Sequence, residues 1–454
     1  MKKRLISLMA TVLTLLSASG QVTFNNVPQQ YSYIEVTPPK NTGLEKIFVL
    51  YNTQGVSMSY ASVSGEPAQW SSYDSRGGAG IEPIDGIIHE GPISTLPVLL
   101  TNKGYVITEG TDTHCYWVVN YADFFMSLNA LLIDYDSPCG KLNLIVDGSA
   151  SPIEYLDING HPRVLSRDIK LSYRTLTWDD DETFPKWDEL AIDTTFVNLN
   201  EQITIVSTLC DTEFKIWGDR FLKEWHRDTT VSSEPYKTTA VECRSRAVQY
   251  KDSIDNVKKN QGTGLGGSAP CHIVFTGYPT DAARNYRVWE MARDEEFEDV
   301  FQTFNQDEVD YTFTEWGTYY MRYSVANDYG TCGIYYGDTY RITVSESKLD
   351  CPNAFSPHNH DDVNDIWKVS YQSLIDFHCW IFNRWGTQVY EYSDPSGGWD
   401  GTYRGKLVDP GVYYYVITAE GSDGMKYRKR GSITILRYSG TGSAVPTGET
   451  GTVE

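Results

Sequence analysis

The sequence predicts an all-β protein built from tandem immunoglobulin-like β-sandwich domains. Two observations support this fold class. Tyrosine and tryptophan are abundant, at 32 and 12 of 454 residues, and aromatic residues favour strands. Short apolar runs also recur at roughly 10-residue spacing between Gly, Asn and Ser breaks, a pattern typical of sandwich strands and their turns.

The first 20 residues are predicted to be a secretory signal peptide. Lys2, Lys3 and Arg4 precede a short apolar run, and Ala18 and Gly20 are the small residues expected before a cut. The run is about 12 residues long, whereas a membrane-spanning helix needs about 20. We therefore expect export, and a mature chain long enough for three or four domains of ~100–150 residues.

Charge and cysteine content narrow the class further. The net charge of -22 argues against a nucleic-acid partner. An even number of cysteines in an exported chain predicts disulfides. The sequence has no C-x-x-C pair, so it gives no indication of a zinc ribbon. If each domain closes its own bridge, the pairs are 115–139, 210–243, 271–332 and 351–379, although other pairings stay open. The eight residues are Cys115, Cys139, Cys210, Cys243, Cys271, Cys332, Cys351 and Cys379.

Strand patterns divide the chain into successive regions. Residues 21–140 carry "KIFVLY", "GYVITE" and "CYWVVNY" and are expected to form a β-sandwich. Residues 141–255 carry "KLNLIVDG" and "IEYLDING", whose Asp-Gly and Asn-Gly pairs are hairpin signals, and form a second β-rich domain. Residues 256–270, "NVKKNQGTGLGGSAP", are predicted to be a linker, because glycine and small polar residues bury little apolar surface.

No catalytic motif is found, so the protein is expected not to be an enzyme. G-x-S-x-G and H-E-x-x-H are both missing. His114 beside Cys115 and His378 beside Cys379 are conceivable dyads, but disulfide-flanking histidines are favoured. The "DDDE" run at residues 179–182 is typical of a solvated loop. Triads assemble from distant residues, however, so a hydrolase stays an alternative.

Aromatic residues in the first two regions offer a possible sugar-binding surface. Flat rings cover the apolar faces of sugars, but packing in a core is the competing and commoner role. The candidates are Trp70, Tyr73, Trp117, Trp178 and Trp187.

Residues 271–349 resemble the PKD-like, immunoglobulin-type modules of bacterial surface proteins. The resemblance depends on "YRVW" at 286–289, "YTFTEWGTYYMRYSV" at 311–325 and "YRITVSES" at 340–347. It implies a further sandwich with alternating Tyr and Val on one sheet face.

Residues 350–437 contain six ordered segments: "PNAFSP", "VNDIWKV", "IFNRWGTQVYE", "GWDGTYRGK", "DPGVYYYVI" and "RGSITILR". In this region the chain is similar to the gliding-motility-associated C-terminal domain, the type B sorting domain of the type IX secretion system. The resemblance implies a small C-terminal β-sandwich and passage across the outer membrane of a Gram-negative bacterium, with the secretion machinery as partner. The motif residues are Asn353, Phe355, Ser356, Pro357, Asn364, Asp365, Asn383, Arg384, Trp385, Gly386, Trp399, Asp400, Gly401, Gly405 and Gly411.

Two features depart from that family. Its acidic loop usually reads Asn-Gly-Asp-Gly-x-Asn-Asp, whereas residues 358–365 read "HNHDDVND", one residue longer and without glycine. Calcium is the leading candidate ion there, with Asp361, Asp362 and Asp365 as possible ligands, and no other cofactor is expected. The family domain normally ends the chain, but here a polar tail, residues 438–454, follows and is expected to be disordered.

These observations predict a secreted or cell-surface protein with a structural, adhesive or binding role. Its ligand would be a surface protein or glycan. The alternatives are a hydrolase of surface polymers in the first two domains, or an accessory component of the secretion or gliding machinery.

Overall fold

The computed structural model describes residues 21–73, 80–250, 256–258, 264–328, 330–357 and 363–436. The predicted signal peptide and the polar tail lie outside these residues. The fold is all-β and confirms the predicted class. The chain divides into two compact units, Met1–Trp178 with Asp188–Thr238 and Asp179–Trp187 with Thr239–Glu454. In the described part, no helix is long and apolar enough to cross a membrane.

The first sandwich packs a four-stranded sheet, β1-β4-β8-β7, against a six-stranded sheet, β2-β3-β10-β9-β5-β6. Alternating residues of both sheets, including Phe48, Tyr60, Tyr105 and Val118, form its core. The strands are β1 Gln21–Asn25, β2 Ile34–Val36, β3 Lys46–Leu50, β4 Ser57–Ala61, β5 Gln69–Tyr73, β6 Glu82–Pro83, β7 Ile88–Glu90, β8 Ile93–Leu96, β9 Lys103–Glu109 and β10 Asp112–Asn120. Single 3-10 turns lie at Gln29–Tyr31, Lys40–Thr42 and Tyr121–Asp123.

The second sandwich pairs sheet β11-β12-β17 with sheet β16-β15-β18-β19. The hairpin β13-β14 packs instead against β9 and β10 of the first sandwich. β11 precedes residue 140 but pairs with β12, so the second sandwich begins before the expected boundary. Its elements are β11 Met126–Asp134, β12 Lys141–Ala150, β13 Ile153–Leu156, β14 Pro162–Leu165, β15 Ile169–Asp179, β16 Lys186–Phe196, β17 Gln202–Val206, β18 Lys215–Gly218, α1 Arg220–Glu224 and β19 Thr229–Ser232.

A buried ion pair anchors the start of α1. Arg167 and Asp219 are fully buried and bonded to each other, and the Arg167 guanidinium also donates to the Tyr121 hydroxyl at 2.9 Å. The other carboxylate oxygen of Asp219 caps α1 by accepting from the Phe221 N–H at 2.7 Å. Because every charge here has a partner, removing either one would leave an uncompensated buried ion.

The third sandwich pairs sheet β20-β22-β25 with sheet β21-β27-β26-β23-β24. Trp289, Met321 and Tyr323 are fully buried in its core. β20 lies before residue 255 yet pairs with β22. The strands are β20 Cys243–Gln249, β21 Leu265–Gly267, β22 Cys271–Pro279, β23 Tyr286–Ala292, β24 Val300–Phe304, β25 Glu308–Phe313, β26 Gly317–Ala326 and β27 Ile334–Val344.

The expected linker is partly folded. β21 pairs in parallel with β27, Ala269 is 1% exposed, and residue 257 bridges Tyr371. Glycine and serine bury little apolar area, but their backbone groups form hydrogen bonds as well as those of any residue, and these bonds hold the segment in place.

The fourth sandwich is built on the five-stranded sheet β29-β36-β35-β31-β32, covered by the pair β28-β30 and the short hairpin β33-β34. Trp367, Cys379, Ile381, Trp399 and Ile417 are fully buried between these layers. The strands are β28 Lys348–Asp350, β29 Ala354–Phe355, β30 Ser370–Gln372, β31 Leu374–Phe382, β32 Gln388–Tyr392, β33 Thr402–Tyr403, β34 Lys406–Leu407, β35 Gly411–Gly421 and β36 Lys426–Ile435.

The predicted pairing of neighbouring cysteines is wrong. Cys139 and Cys332 each take part in a disulfide, whereas Cys115, the expected partner of Cys139, does not. Cys115 and Cys271, their expected partners, are 4% and 2% exposed on core strands, whereas Cys139 and Cys332 lie in exposed turns, so proximity in the chain does not bring them together. Cys115, Cys243, Cys351 and Cys379 carry thiols.

A carboxylate closes the β4–β5 turn of the first sandwich. Glu109 is 9% exposed and accepts hydrogen bonds from the Tyr60 hydroxyl at 2.9 Å, the Ser62 hydroxyl at 2.7 Å and the Ser64 N–H. Burial alone would raise the pKa of Glu109, but these donors outweigh it and lower the pKa from 4.5 to about 2. Ionised Glu109 therefore stabilises the fold above about pH 4.5, and this contribution disappears as the pH falls towards 2.

We expect Glu109→Gln to lower the free energy of unfolding of the first unit by about 1–2 kcal/mol at pH 7. The difference from the native chain should shrink as the pH falls from about 4.5 towards 2, and it should vanish only below pH 2, where Glu109 is neutral in the folded state as well. Pulse proteolysis in urea, with fragments of the first unit identified by mass spectrometry, measures it. A difference that stays constant from pH 7 to pH 2 would contradict the assignment.

Candidate functional site

Trp367 and Trp399, the latter being the first residue of the "WDG" segment, pair with each other in the core of the C-terminal sandwich. Trp367 and Trp399 exchange backbone hydrogen bonds of 2.8 and 3.0 Å, and both side chains are fully buried. The Trp367 indole N–H donates to the Pro352 carbonyl at 2.8 Å, and the Trp399 indole N–H donates to the Thr402 carbonyl at 2.9 Å. Trp399 also contacts the Phe355 ring at 5.6 Å between centroids. These motif residues are therefore structural.

The rest of "WDG" makes the turn that follows. The Asp400 carboxylate accepts from the Thr402 N–H at 2.9 Å and from the Thr402 hydroxyl at 2.6 Å. Gly401 has φ of 80°, and a Cβ there would lie 2.9 Å from Pro357. Only glycine fits this turn without strain, because the conformation is left-handed and the space is taken.

"NRWG" forms a rigid turn between β31 and β32 and exposes its tryptophan. The Asn383 side-chain oxygen accepts from the N–H groups of Trp385 and Thr387, each at 3.0 Å. Gly386, at φ of 82°, completes the turn. The Trp385 ring is 74% exposed, and the Arg384 guanidinium lies 4.2 Å from its centroid. A fixed, solvated Trp–Arg pair is typical of a recognition site, since both residue types are enriched at binding hot spots.

The solvent side of the five-stranded sheet carries an aromatic and aliphatic stripe, here called the outer face. Val412, Tyr414 and Val416 on β35 are 45%, 48% and 42% exposed. In the strand register, Tyr414 lies opposite Phe382 and Val416 lies opposite Trp380. The outer face comprises His378, Trp380, Phe382, Val412, Tyr414, Val416, Arg428 and Arg430.

Positive charge borders the outer face along β36. Arg428 and Arg430 are exposed and lie opposite Thr418 and Val416, neither of which carries a charge. Within a chain of net charge -22, this is a local reversal of sign. A partner with an acidic rim around an apolar centre would complement it. Sequence reasoning missed these residues, although the period-2 alternation of "VYYYVI" and "KYRKRG" contains the signal.

The predicted calcium loop lies mostly outside the described residues. Asp361 and Asp362, with His358 and His360, belong to the part that the structure does not describe. Asp365 is described, and its neighbour Asn364 accepts a backbone hydrogen bond from Ser356 at 2.9 Å. Among the described residues, no group of three His, Cys, Asp or Glu side chains could hold a metal ion. Calcium binding therefore stays a prediction.

Other residues that the sequence singled out have structural contacts. Trp70, Tyr73 and Trp117 are 4%, 2% and 3% exposed, so they pack in the core and offer no external sugar platform. Trp178 is half-buried, and the Trp187 indole donates to the Tyr278 carbonyl at 3.0 Å.

Neither histidine–cysteine neighbour forms a reactive dyad. His114 lies 2.7 Å from a Glu45 carboxylate oxygen, and His378 stacks on Trp380 at 4.0 Å. Burial raises the pKa of the Cys115 thiol to about 11 and that of the Cys379 thiol to about 12. Thiols with such pKa values are protonated at neutral pH and are poor nucleophiles.

The acidic "DDDE" run lies on the surface. Arg246 donates to the carbonyl oxygens of Asp181 and Glu182, and it pairs with Asp180 at 3.4 Å. Backbone N–H groups of Phe184 and Thr183 lower the pKa of Asp181. The backbone donors therefore favour the ionised form of Asp181.

Comparison with protein families assigns two of the domains. The architecture is that of a multidomain β protein with a fibronectin type III domain, since residues 132–233 match the model of that domain. Residues 349–435 match the CHU_C type IX secretion signal domain. The chain therefore carries a C-terminal domain that marks it for export by the type IX secretion system, to the cell surface or beyond. The likeness of the third sandwich to PKD-like modules stays a prediction.

Several solved structures are similar to the chain at low sequence identity and low TM-score. The tetra-tandem repeat in the extending region of a large adhesion protein is 11% identical, covers 85% of this chain and 96% of its own, and has a TM-score of 0.22. The FN1–FN3 domains of chicken CNTN1 are 12% identical, with coverages of 68% and 99% and a TM-score of 0.21. Dimeric latent PorU from Porphyromonas gingivalis is 9% identical, with coverages of 71% and 35% and a TM-score of 0.16. No curated protein matches the sequence.

Truncation of the two motif tryptophans should change the free energy of unfolding of the domain by very different amounts. Trp399→Ala removes a fully buried ring and is expected to cost about 3–5 kcal/mol, whereas Trp385→Ala should change stability by less than about 0.5 kcal/mol. Native-state hydrogen exchange of the Trp367 amide in the full chain measures both. Similar losses of protection in the two variants would show that Trp385 is a structural residue.

Proposed function

We propose that the chain is a non-enzymatic cargo of the type IX secretion system that acts at the cell surface or outside the cell. The folded C-terminal sandwich serves as its export address, and the preceding sandwiches carry a structural, adhesive or binding role. The observation that carries this proposal is that one sandwich holds Trp385 exposed on a hydrogen-bonded turn and buries Trp399 completely in its core, because a surface that a partner binds must first be held rigid.

The outer face is the surface on which the outer-membrane machinery would dock. It presents tryptophan, tyrosine and arginine, the residue types that supply most binding energy at protein interfaces. Its aliphatic members, Val412 and Val416, lie in the middle of the sheet, and Arg428 and Arg430 lie at its border. An apolar centre with a charged rim is the usual anatomy of a specific, reversible interface.

A binding role for the delivered domains is supported by an exposed aliphatic surface on the fibronectin type III domain. Leu132 on β11 and Ile145 on β12 lie directly opposite each other and are 53% and 45% exposed. Val206, on the next strand β17, is 78% exposed. Aliphatic side chains grouped on one sheet face suit contact with a protein better than stacking on a sugar.

Removal of residues 349–454 should abolish surface delivery and leave the chain in the periplasm. The reason is that the deleted part contains the whole export address while the signal peptide still directs the first crossing. Protease shaving of intact cells, followed by immunoblotting of the cell and medium fractions, measures the distribution. Normal surface display of the truncated chain would contradict the proposal.

Charge reversal on the outer face should weaken export without unfolding the domain. We expect Arg428→Glu with Arg430→Glu to lower the surface fraction about tenfold, since two unfavourable charges at an interface rim cost about 1.4 kcal/mol or more. Lys170→Glu with Lys215→Glu makes the same change of charge at exposed positions on β15 and β18 of the fibronectin type III domain and is the matched control. Equal export of both double variants would exclude the outer face as the docking surface.

A further inference from the structure

Residues 256–258 lie outside the matched secretion signal domain but add a strand to it. The Tyr371 N–H donates to the Asn256 carbonyl at 3.0 Å, and the Lys258 N–H donates to the Tyr371 carbonyl at 2.8 Å. This is a parallel bridge between Val257 and Tyr371. β30, which contains Tyr371, pairs with β28 on its other edge. Residues 256–258 thus satisfy the backbone groups that β30 would otherwise present to solvent.

The side chains of this short strand are also engaged with the C-terminal sandwich. Val257 packs against its hydrophobic core. Asn256 is 9% exposed and donates from its amide nitrogen to the Pro395 carbonyl at 2.6 Å. Lys258 forms an ion pair with Asp350, and its ammonium group lowers the pKa of that carboxyl. Three consecutive residues therefore make an apolar contact, a side-chain hydrogen bond and an ion pair with one domain.

A second group of contacts lies a few residues further along the chain. The Ser373 N–H donates to the Ser268 hydroxyl at 2.7 Å, and the Ala269 N–H donates to the Ser373 hydroxyl at 3.0 Å. Ser373 is fully buried with φ of 50°, and its carbonyl accepts from the Ser422 N–H at 2.9 Å. The buried Ser373 hydroxyl and the half-buried Ser268 hydroxyl both bond across this junction and help to fix its geometry.

We propose that residues 256–258 are a functional part of the export signal, as positioning residues that complete the sandwich presenting the outer face. A signal limited to residues 349–435 is then incomplete in this chain. This inference rests on the proposed function, because it concerns how the same export address is held. Without the added strand, Tyr371 loses two backbone partners and the core loses Val257, so a smaller fraction of the domain is folded when the machinery meets it.

The test uses the full chain with Val257→Asp, expressed in a bacterium that has a type IX secretion system. We expect the surface fraction to fall about tenfold and the exchange protection of the Tyr371 amide to fall by a similar factor. The conservative variant Val257→Ile should keep both quantities near their native values. Val248→Asp is the matched control, since Val248 is 42% exposed on the neighbouring β20. Native surface display and native Tyr371 protection in Val257→Asp would overturn the proposal.

A gentler pair of variants guards against simple misfolding. Lys258→Glu places like charges beside Asp350 and should lower surface delivery about two- to threefold, and the added change Asp350→Lys should restore it. A chain lacking residues 349–454 is measured alongside. If that truncation blocks export while every change at 256–258 leaves export and Tyr371 protection native, the inference fails and the proposed function stands. If the truncated chain is exported, the proposed function itself fails.

Discussion

The reciprocal backbone hydrogen bonds between Trp367 and Trp399 are the constraint on which the C-terminal domain depends. These residues are far apart in the chain, and each places a fully buried indole in the same core. Each indole N–H finds a backbone carbonyl, so the domain buries two large rings without leaving a polar group unsatisfied. The sheet that carries the outer face packs on these two rings, since Trp367 contacts Tyr415 and Trp399 contacts Tyr413, both on β35.

Residue type alone does not separate structural from recognition roles in this domain. Trp385 and Trp399 lie in similar short motifs, each followed closely by a glycine, yet one is 74% exposed and the other is fully buried. The turn at Asn383 leaves Trp385 exposed to solvent. In "WDG", by contrast, the backbone of Trp399 is bonded to Trp367, and the turn begins after it. The part of the motif that is available to a partner is therefore Arg384 and Trp385, while Trp399, Asp400 and Gly401 maintain the shape.

Local sequence patterns predicted the features that depend on neighbouring residues. Strand alternation and turn residues were sufficient for the all-β class, and the ordered motif segments were sufficient for the C-terminal domain. Features that depend on distant contacts were not accessible. The strand at residues 256–258 requires Tyr371, more than a hundred positions away, and the cysteine pairing requires knowing that Cys115 and Cys271 are in cores while Cys139 and Cys332 are in turns. The outer face could be predicted only in part. Alternation along β35 and β36 shows which residues share a face of the sheet, but it does not show which of the two faces is covered by the rest of the domain.

The central claim is that a rigid outer face, with the Trp385 turn, contacts the export machinery. Site-specific photocrosslinking in exporting cells tests this most directly, with a photoreactive phenylalanine analogue replacing Tyr414 in the full chain. A matched analogue at Phe184, which is 77% exposed on a different domain, serves as control. We predict adducts with outer-membrane secretion components from position 414 and none from position 184. Equal labelling from both positions, or no adduct from position 414 while the variant is exported normally, would contradict the account.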